Sequence, residues 1–224
     1  RLWSSTKRRD GLASDLLAAQ ARERDAWSQA CAESEDIRRT ASLVLAGDAE
    51  AYNHVVSSSG CLDELEEFGC QHRGGWLNPQ TAWTVLKVGG PEIVPTESKS
   101  LTASGKLSTR KVPAAAQMET YQDFVCGVAL RVARELSAVL PLQGVYCDVR
   151  APLLDTRTGI VQDVVVLSVL CPADRLSQGR VNFDRVDASD LVTTFQHAMK
   201  LARGKGLQAV DSVAPVRALT SNHG

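Results

Sequence analysis

The stretch IVQDVVVLSVLC, residues 160–171, constrains the fold more than any other part of this 224-residue chain. Read as an extended strand, it puts Val161, Val165, Leu167 and Val169 on one side and Ile160, Val164, Val166 and Leu170 on the other. A strand that is apolar on both sides must be covered on both faces, which predicts a central strand in a layered sheet. The segment just before it, 144–154, reads as a half-polar partner, with Tyr146, Asp148 and Arg150 on one side. Between them lies DTRTG, where Asp155 and Gly159 supply turn chemistry. The two segments therefore predict a β-hairpin. Pairing Leu154 with Ile160 across the turn would set Asp163 opposite Ala151, on the face of Val149 and Cys147. Asp148 would then point to the other face, because side chains alternate along a strand.

Two helices are expected to supply the cover. At 118–140, Tyr121, Val125, Val128, Val132, Leu136 and Val139 recur at helical spacing, and Pro141 stops the run. At 187–203, Asp187 or Ser189 can cap a helix carrying Leu191, Phe195, Ala198 and Ala202 on one face. Its last turn would hold Lys200 and Arg203, and Gly204 would follow it. RVNFDRV reads as a short third strand, and LQAVDSVAPV as a last one. The fold class predicted is α+β: a helical N-terminal region, then a small mixed sheet packed with two amphipathic helices in helix–hairpin–strand–helix–strand order.

Upstream, residues 8–46 read as one long helix. Leu16, Trp27, Ala30, Ile37, Ala41 and Val44 fall on alternating steps of three and four, and Gln20, Glu23 and Ser34 dilute the same stripe. Such a stripe packs either on its own domain or on a partner helix, so Leu16, Trp27 and Ile37 are candidate partner-binding residues. Gly47 ends this helix and Asp48 can cap the next. DAEAYNHVV and CLDELEEFGC read as two short helices split by SSSG, RGG at 73–75 as a break, and TAWTVLKVGG at 81–90 as a strand. Residues 91–117, rich in Pro, Ser, Thr and Lys, read as a long polar loop. The expected organisation is a helical region over 1–73, an α+β domain over 76–215, and a flexible tail at 216–224.

Charge and cysteine usage narrow the function classes. The formal net charge is -1, which argues against non-specific coating of nucleic acid. Residues 1–73 carry 9 Lys and Arg against 13 Asp and Glu, and residues 74–224 carry 16 against 13, so the C-terminal part is mildly basic. No run of about 18 apolar residues occurs, and no transmembrane segment is expected. The opening RLWSSTKRRD lacks Met and reads as a trimmed or processed start; basic residues of this kind also follow removed membrane segments. Six cysteines occur without a CxxC, and Cys126, Cys147 and Cys171 sit in apolar runs. Reduced thiols acting as small hydrophobes fit a cytoplasmic setting better than a disulfide framework does.

The order of elements from 118 on resembles the core order of the PD-(D/E)xK nucleases, in which carboxylates from neighbouring strands bind a divalent metal and a lysine assists the water. Glu135, Asp148 and Asp163 would be the acids here. The triplet starting at Asp163 is DVV, which lacks the lysine, and the expected register sends Asp148 and Asp163 to opposite faces. His54, Cys61, Cys70 and His72 are zinc-ligand types within 19 residues, but the two cysteines stand nine positions apart, too far for a knuckle. No metal and no cofactor are expected. Lys106, Arg110 and Lys111 in the polar loop, with Lys200, Arg203 and Lys205, are candidate anion or nucleic-acid contacts, or else a solvated surface and a basic helix end. The expected role is a non-catalytic interaction or scaffold module that meets a protein partner, or itself, through the long helix and the polar loop. Nucleic-acid binding, with or without nuclease activity, is the alternative.

Overall fold

The computed structural model of the chain describes residues 2–177, 181–202 and 206–215, with side chains described from residue 15 onward. It falls into two compact units, residues 1–46 and 47–224. The first is a single helix, α1 (Leu2–Ala46). At a rise of about 1.5 Å per residue its 45 residues extend about 67 Å. Its polar side chains are paired locally, as in Gln29 with Glu33 and Arg39 with Asp36.

The second unit opens with α2 (Ala49–Ser59) and α3 (Glu64–Glu67), followed by strands β1 (Gln71–Asn78) and β2 (Thr81–Lys87). Strands β3 (Glu97–Leu101) and β4 (Leu107–Lys111), helix α4 (Ala114–Val139) and strands β5 (Gly144–Asp155) and β6 (Ile160–Pro172) come next. Short elements complete it: α5 (Ala173–Leu176), α6 (Ala188–Thr193), β7 (Gln196–Met199), β8 (Leu201–Ala202) and β9 (Gly206–Leu207). The fold is α+β, and its main sheet is mixed, in the order β1-β2-β5-β6-β7. β2 runs parallel to β5; the other neighbours are antiparallel. The parallel step needs a long crossover, which the β3–β4 hairpin and α4 provide.

Local signals fix many of the ends. Asp48 Oδ1 accepts a hydrogen bond from the Ala51 amide and starts α2. Asp187 Oδ1 does the same for Asp190 and starts α6, and this holds the Asp187 carboxyl below its usual range. In the β5–β6 turn, Asp155 Oδ1 accepts from the Arg157 amide and Gly159 takes φ +71°, a conformation that side chains resist.

α4 carries the predicted stripe. Tyr121, Val125, Val128, Val132 and Leu136 are buried, and the helix packs on β5 and β6. The sheet face beneath it presents Leu86, Cys147, Val149, Leu167, Val169 and Cys171, all buried. Burying each Val or Leu side chain there contributes about 1.5–3 kcal/mol. The Cys147 thiol donates to the Ala129 carbonyl at 3.6 Å, and its contact with Cys171, together with full burial, pushes its pKa up. Burial also pushes the Cys126 thiol up to about 12.

Several expectations are corrected. The break at 73–75 is the interior of β1: a Cβ on Gly74 would lie 2.6 Å from the Trp83 carbonyl oxygen, so the glycine permits close strand approach. The polar loop of 91–117 holds a 3₁₀ turn at Pro91–Ile93, the β3–β4 hairpin and the start of α4. The helix expected over 187–203 stops at Thr193. Thr194 caps it, and residues 196–199 pair with β6 instead, which suits the β-branched Thr193–Thr194 junction. RVNFDRV is not a strand over its described residues 181–186. Asn182 Oδ1 accepts from the Asp184 amide and folds it into a turn. Of the described residues of LQAVDSVAPV, 207–215, only Leu207 lies in a strand. Gly204 and the tail 216–224 lie outside the described residues.

The hairpin register differs by one residue from the expected one. Asp155 pairs with Ile160 and Asp163 with Pro152. A bulge follows: Arg150 pairs with Val165 and Val149 with Leu167, leaving Val166 unpaired. The bulge also explains the two-sided apolar pattern. With one residue extruded, Val164, Leu167, Val169 and Cys171 share the helix-covered face, while Asp163, Val165, Ser168 and Leu170 share the other. Val166 itself is fully buried. Cover on both faces holds for the C-terminal half of β6, while Ile160 and Val161 are exposed.

Candidate functional site

The sheet face opposite α4 is where polar side chains converge. Cross-strand partners share a face, so the registers define two rows. Gln71, Lys87, Arg150 and Val165 form one, and Arg73, Val85, Asp148 and Ser168 the next. Lys87 Nζ reaches across to Asp163 Oδ2 at 2.6 Å, and Arg150 donates to the Asp163 carbonyl at 2.8 Å. The bulge and the one-residue register shift put Asp163 on this face; in the expected register it would have pointed into the core. Around these groups lies an open cleft of about 340 Å³, lined by Gln71, His72, Arg73, Lys87, Arg150 and Asp163 over a floor of buried Val85.

Asp148 sits deeper in the same face. It is 9% exposed, and Ser168, with no exposure, donates to its Oδ1 at 2.5 Å. The Ser168 hydroxyl in turn accepts from the Val213 amide at 2.9 Å. Residues 208–215 thus form an extended strap, tied to β6 a second time by the Val210 amide on the Val165 carbonyl. The partner of Asp148 is thus Ser168 on β6 and not Arg150, two positions along its own strand. Asp163 lies inside β6.

The register shift brings Asp148 and Asp163 to one face but does not join them. Four residue steps along β5 separate Asp148 from Pro152, the partner of Asp163, or about 13 Å along the strand. Arg150 stands between. Two short carboxylate side chains cannot share an ion over that span. Glu135 is on α4, on the opposite side of the sheet, where it lines a separate cleft of about 460 Å³ with Arg131, Arg134 and Phe183. The three acids are not one constellation.

The four zinc-type residues are also dispersed. His54 lies on α2, Cys61 follows it, Cys70 is buried with its thiol toward the Phe68 carbonyl, and His72 lies on β1. Among the described residues no three His, Cys, Asp or Glu side chains gather as a metal site. His72 also borders an apolar cavity of about 260 Å³ walled by Trp76, Trp83, Val56 and Leu62. Trp76 is fixed there by its Nε1 donating to Asn53 Oδ1 at 3.0 Å and by its edge contact with Tyr52.

Of the basic candidates, Lys106, Arg110 and Lys111 lie on the exposed β3–β4 hairpin. Lys200 is in the link between β7 and β8, not in the last turn of a helix. Arg203 and Lys205 lie outside the described residues. In α1, Leu16, Trp27 and Ile37 are 64%, 73% and 69% exposed.

Sequence reading missed Arg73, Lys87 and Gln71 as site residues. A signal for Lys87 was present: alternation from Trp83 and Val85 carries it to the same face. Arg73 required knowing that β1 exists. Comparison with protein-family models, with curated proteins and with solved structures finds no match to this chain. No helix among the described residues is long and apolar enough to cross a membrane.

Proposed function

We propose that the chain is a non-catalytic interaction module that meets a protein partner, a second copy included, through α1 and the β3–β4 hairpin. The observation that carries this reading is the exposure of Leu16, Trp27 and Ile37 on one 45-residue helix. Isolated helices are marginal in water and gain most of their stability by packing an apolar stripe. The spacing of these residues by threes and fours, through Ala30, Ala41 and Val44, is that of a coiled-coil seam. The hairpin adds Leu101 and Leu107, a cross-strand pair exposed at its end. A reducing, cytoplasmic setting belongs to this proposal, supported by six unpaired cysteines, four of them buried.

The test is sedimentation over a wide concentration range. The native chain is expected to associate, and Trp27→Ala to shift it toward monomer while the melt of residues 47–224 is unchanged. A native chain that remains monomeric at every concentration would refute self-association through α1. The competing reading is nucleic-acid binding by Lys106, Arg110 and Lys111, favoured by their gathering on one solvent-exposed hairpin. It requires DNA or RNA affinity that falls steeply with salt and drops when these three are replaced by Gln.

A further inference from the structure

The cleft over Val85 has a charge pattern that the interaction reading leaves unused. Three strands each contribute one cation to it: Arg73 from β1, Lys87 from β2 and Arg150 from β5. Lys87 and Arg150 are direct register partners, and like charges placed so are destabilising. Asp163 is the single acid in the lining and is already engaged, its carboxylate by Lys87 and its carbonyl by Arg150. Asp148, the nearest other acid in the rows, is turned to Ser168. Arg73 has neither an ion pair nor a side-chain hydrogen bond among the described residues. Among the lining residues three cations stand against one carboxylate, an excess of two positive charges, with the Asp148 carboxylate outside the lining and bonded to Ser168.

We propose that this cleft binds a phosphate dianion, free or as a phosphomonoester. The excess charge of the lining matches that of the dianion. The two guanidinium groups offer forked donors suited to tetrahedral oxyanions, and Lys87 adds a point charge between them. The volume of about 340 Å³ holds a phosphate together with a small attached group. Val85 closes the floor, and Gln71, beside Lys87 in the row, gives a neutral donor at the rim. Asp163 acts as the internal counter-ion of Lys87 until a ligand oxygen replaces it.

The last point separates this site from an ordinary basic surface. Titration calorimetry with inorganic phosphate and with phenyl phosphate is the experiment, on the full chain, with sulfate-free buffer of fixed ionic strength. Saturable one-to-one binding is expected, weakened about tenfold or more by Arg73→Gln and by Lys87→Gln, each removing one charge-assisted contact. Asp163→Asn is expected to tighten binding several-fold by freeing Lys87. Thermal melts of each variant show whether it is folded, and Arg73, exposed on the edge strand β1, is the replacement least able to disturb the core. Tighter binding of phenyl phosphate than of phosphate identifies a monoester ligand, and equal binding identifies the free ion; both support the proposal. No saturable binding, or binding unchanged in folded Arg73→Gln and Lys87→Gln proteins, overturns it. So does a single-stranded oligonucleotide that binds through these residues with a steep salt slope while phosphate does not bind.

Discussion

Replacing Ser168 by Ala tests the polar link that fastens the strap to the sheet. The hydroxyl makes two bonds at once, donating to Asp148 at 2.5 Å and accepting from the Val213 amide at 2.9 Å. A hydrogen bond to a charged group contributes about 1.5–3 kcal/mol and an ordinary one about 0.5–1.5. Ser168 is wholly buried and Asp148 nearly so, so water cannot easily replace the lost donor. The expected cost is therefore about 2–4 kcal/mol, a large part of a typical total stability of about 5–15. For a unit of this size each kcal/mol lowers Tm by roughly 2–4 °C. Asp148→Asn should cost about 1 kcal/mol or less, because its side-chain oxygen can still accept from Ser168. Urea unfolding gives the free energies, and hydrogen exchange at the Val213 amide shows whether the strap has loosened. If Ser168→Ala loses less than about 0.5 kcal/mol and Val213 keeps its protection, the link does not hold the strap and the reasoning fails.

Tyr121 donates to the Gly89 carbonyl at 2.7 Å, and burial, with a smaller effect from Glu92, lifts its pKa to about 12. The unfolded chain ionises this phenol near pH 10 and the folded chain later, so stability is complete below about pH 10 and falls toward 12. Tyr121→Phe should weaken that alkaline loss in urea melts, and an unchanged profile would exclude Tyr121 as its source. Alkylation of the native protein at pH 8 should modify Cys31 and then Cys61, while Cys70, Cys126, Cys147 and Cys171 react only after unfolding. Rapid native labelling of Cys147, read by peptide mass, would contradict a closed core under α4.

What could be read from the sequence was local. The α4 stripe, the Asp48 and Asp187 caps and the Asp155–Gly159 turn each depend on residues a few positions apart. What could not be read was set by partners far along the chain. Residues 196–199 carry a helical spacing but lie beside β6, and pairing there outweighed a weak intrinsic preference. β1 looked like a break because its glycines answer to Trp83, eight or more positions away. The site suffered most. Arg73, Lys87 and Arg150 come from three strands, and nothing in their neighbours announces that they meet. Asp163 stood out as a candidate acid alongside Asp148 on the neighbouring strand, but its partner is Lys87, 76 positions upstream.

The unpaired Val166 has an evolutionary consequence. It shifts the alternation of the strand: Asp163 and Val165 before it share the outer face with Ser168 and Leu170 after it. Pairing Val166 with Arg150 in an unbroken ladder would exchange the faces of everything on the turn side, placing Asp163 under α4 and turning Val164 to the other face. Deleting Val166 would instead join Leu167 to Val165 in regular alternation and leave every face as it is. Lineages of this chain should therefore vary the hairpin's length at the exposed tip around Arg157, where two residues added in step preserve every face, and should carry the spacing from Asp163 to Ser168 either as it is, with the bulge, or one residue shorter, without it.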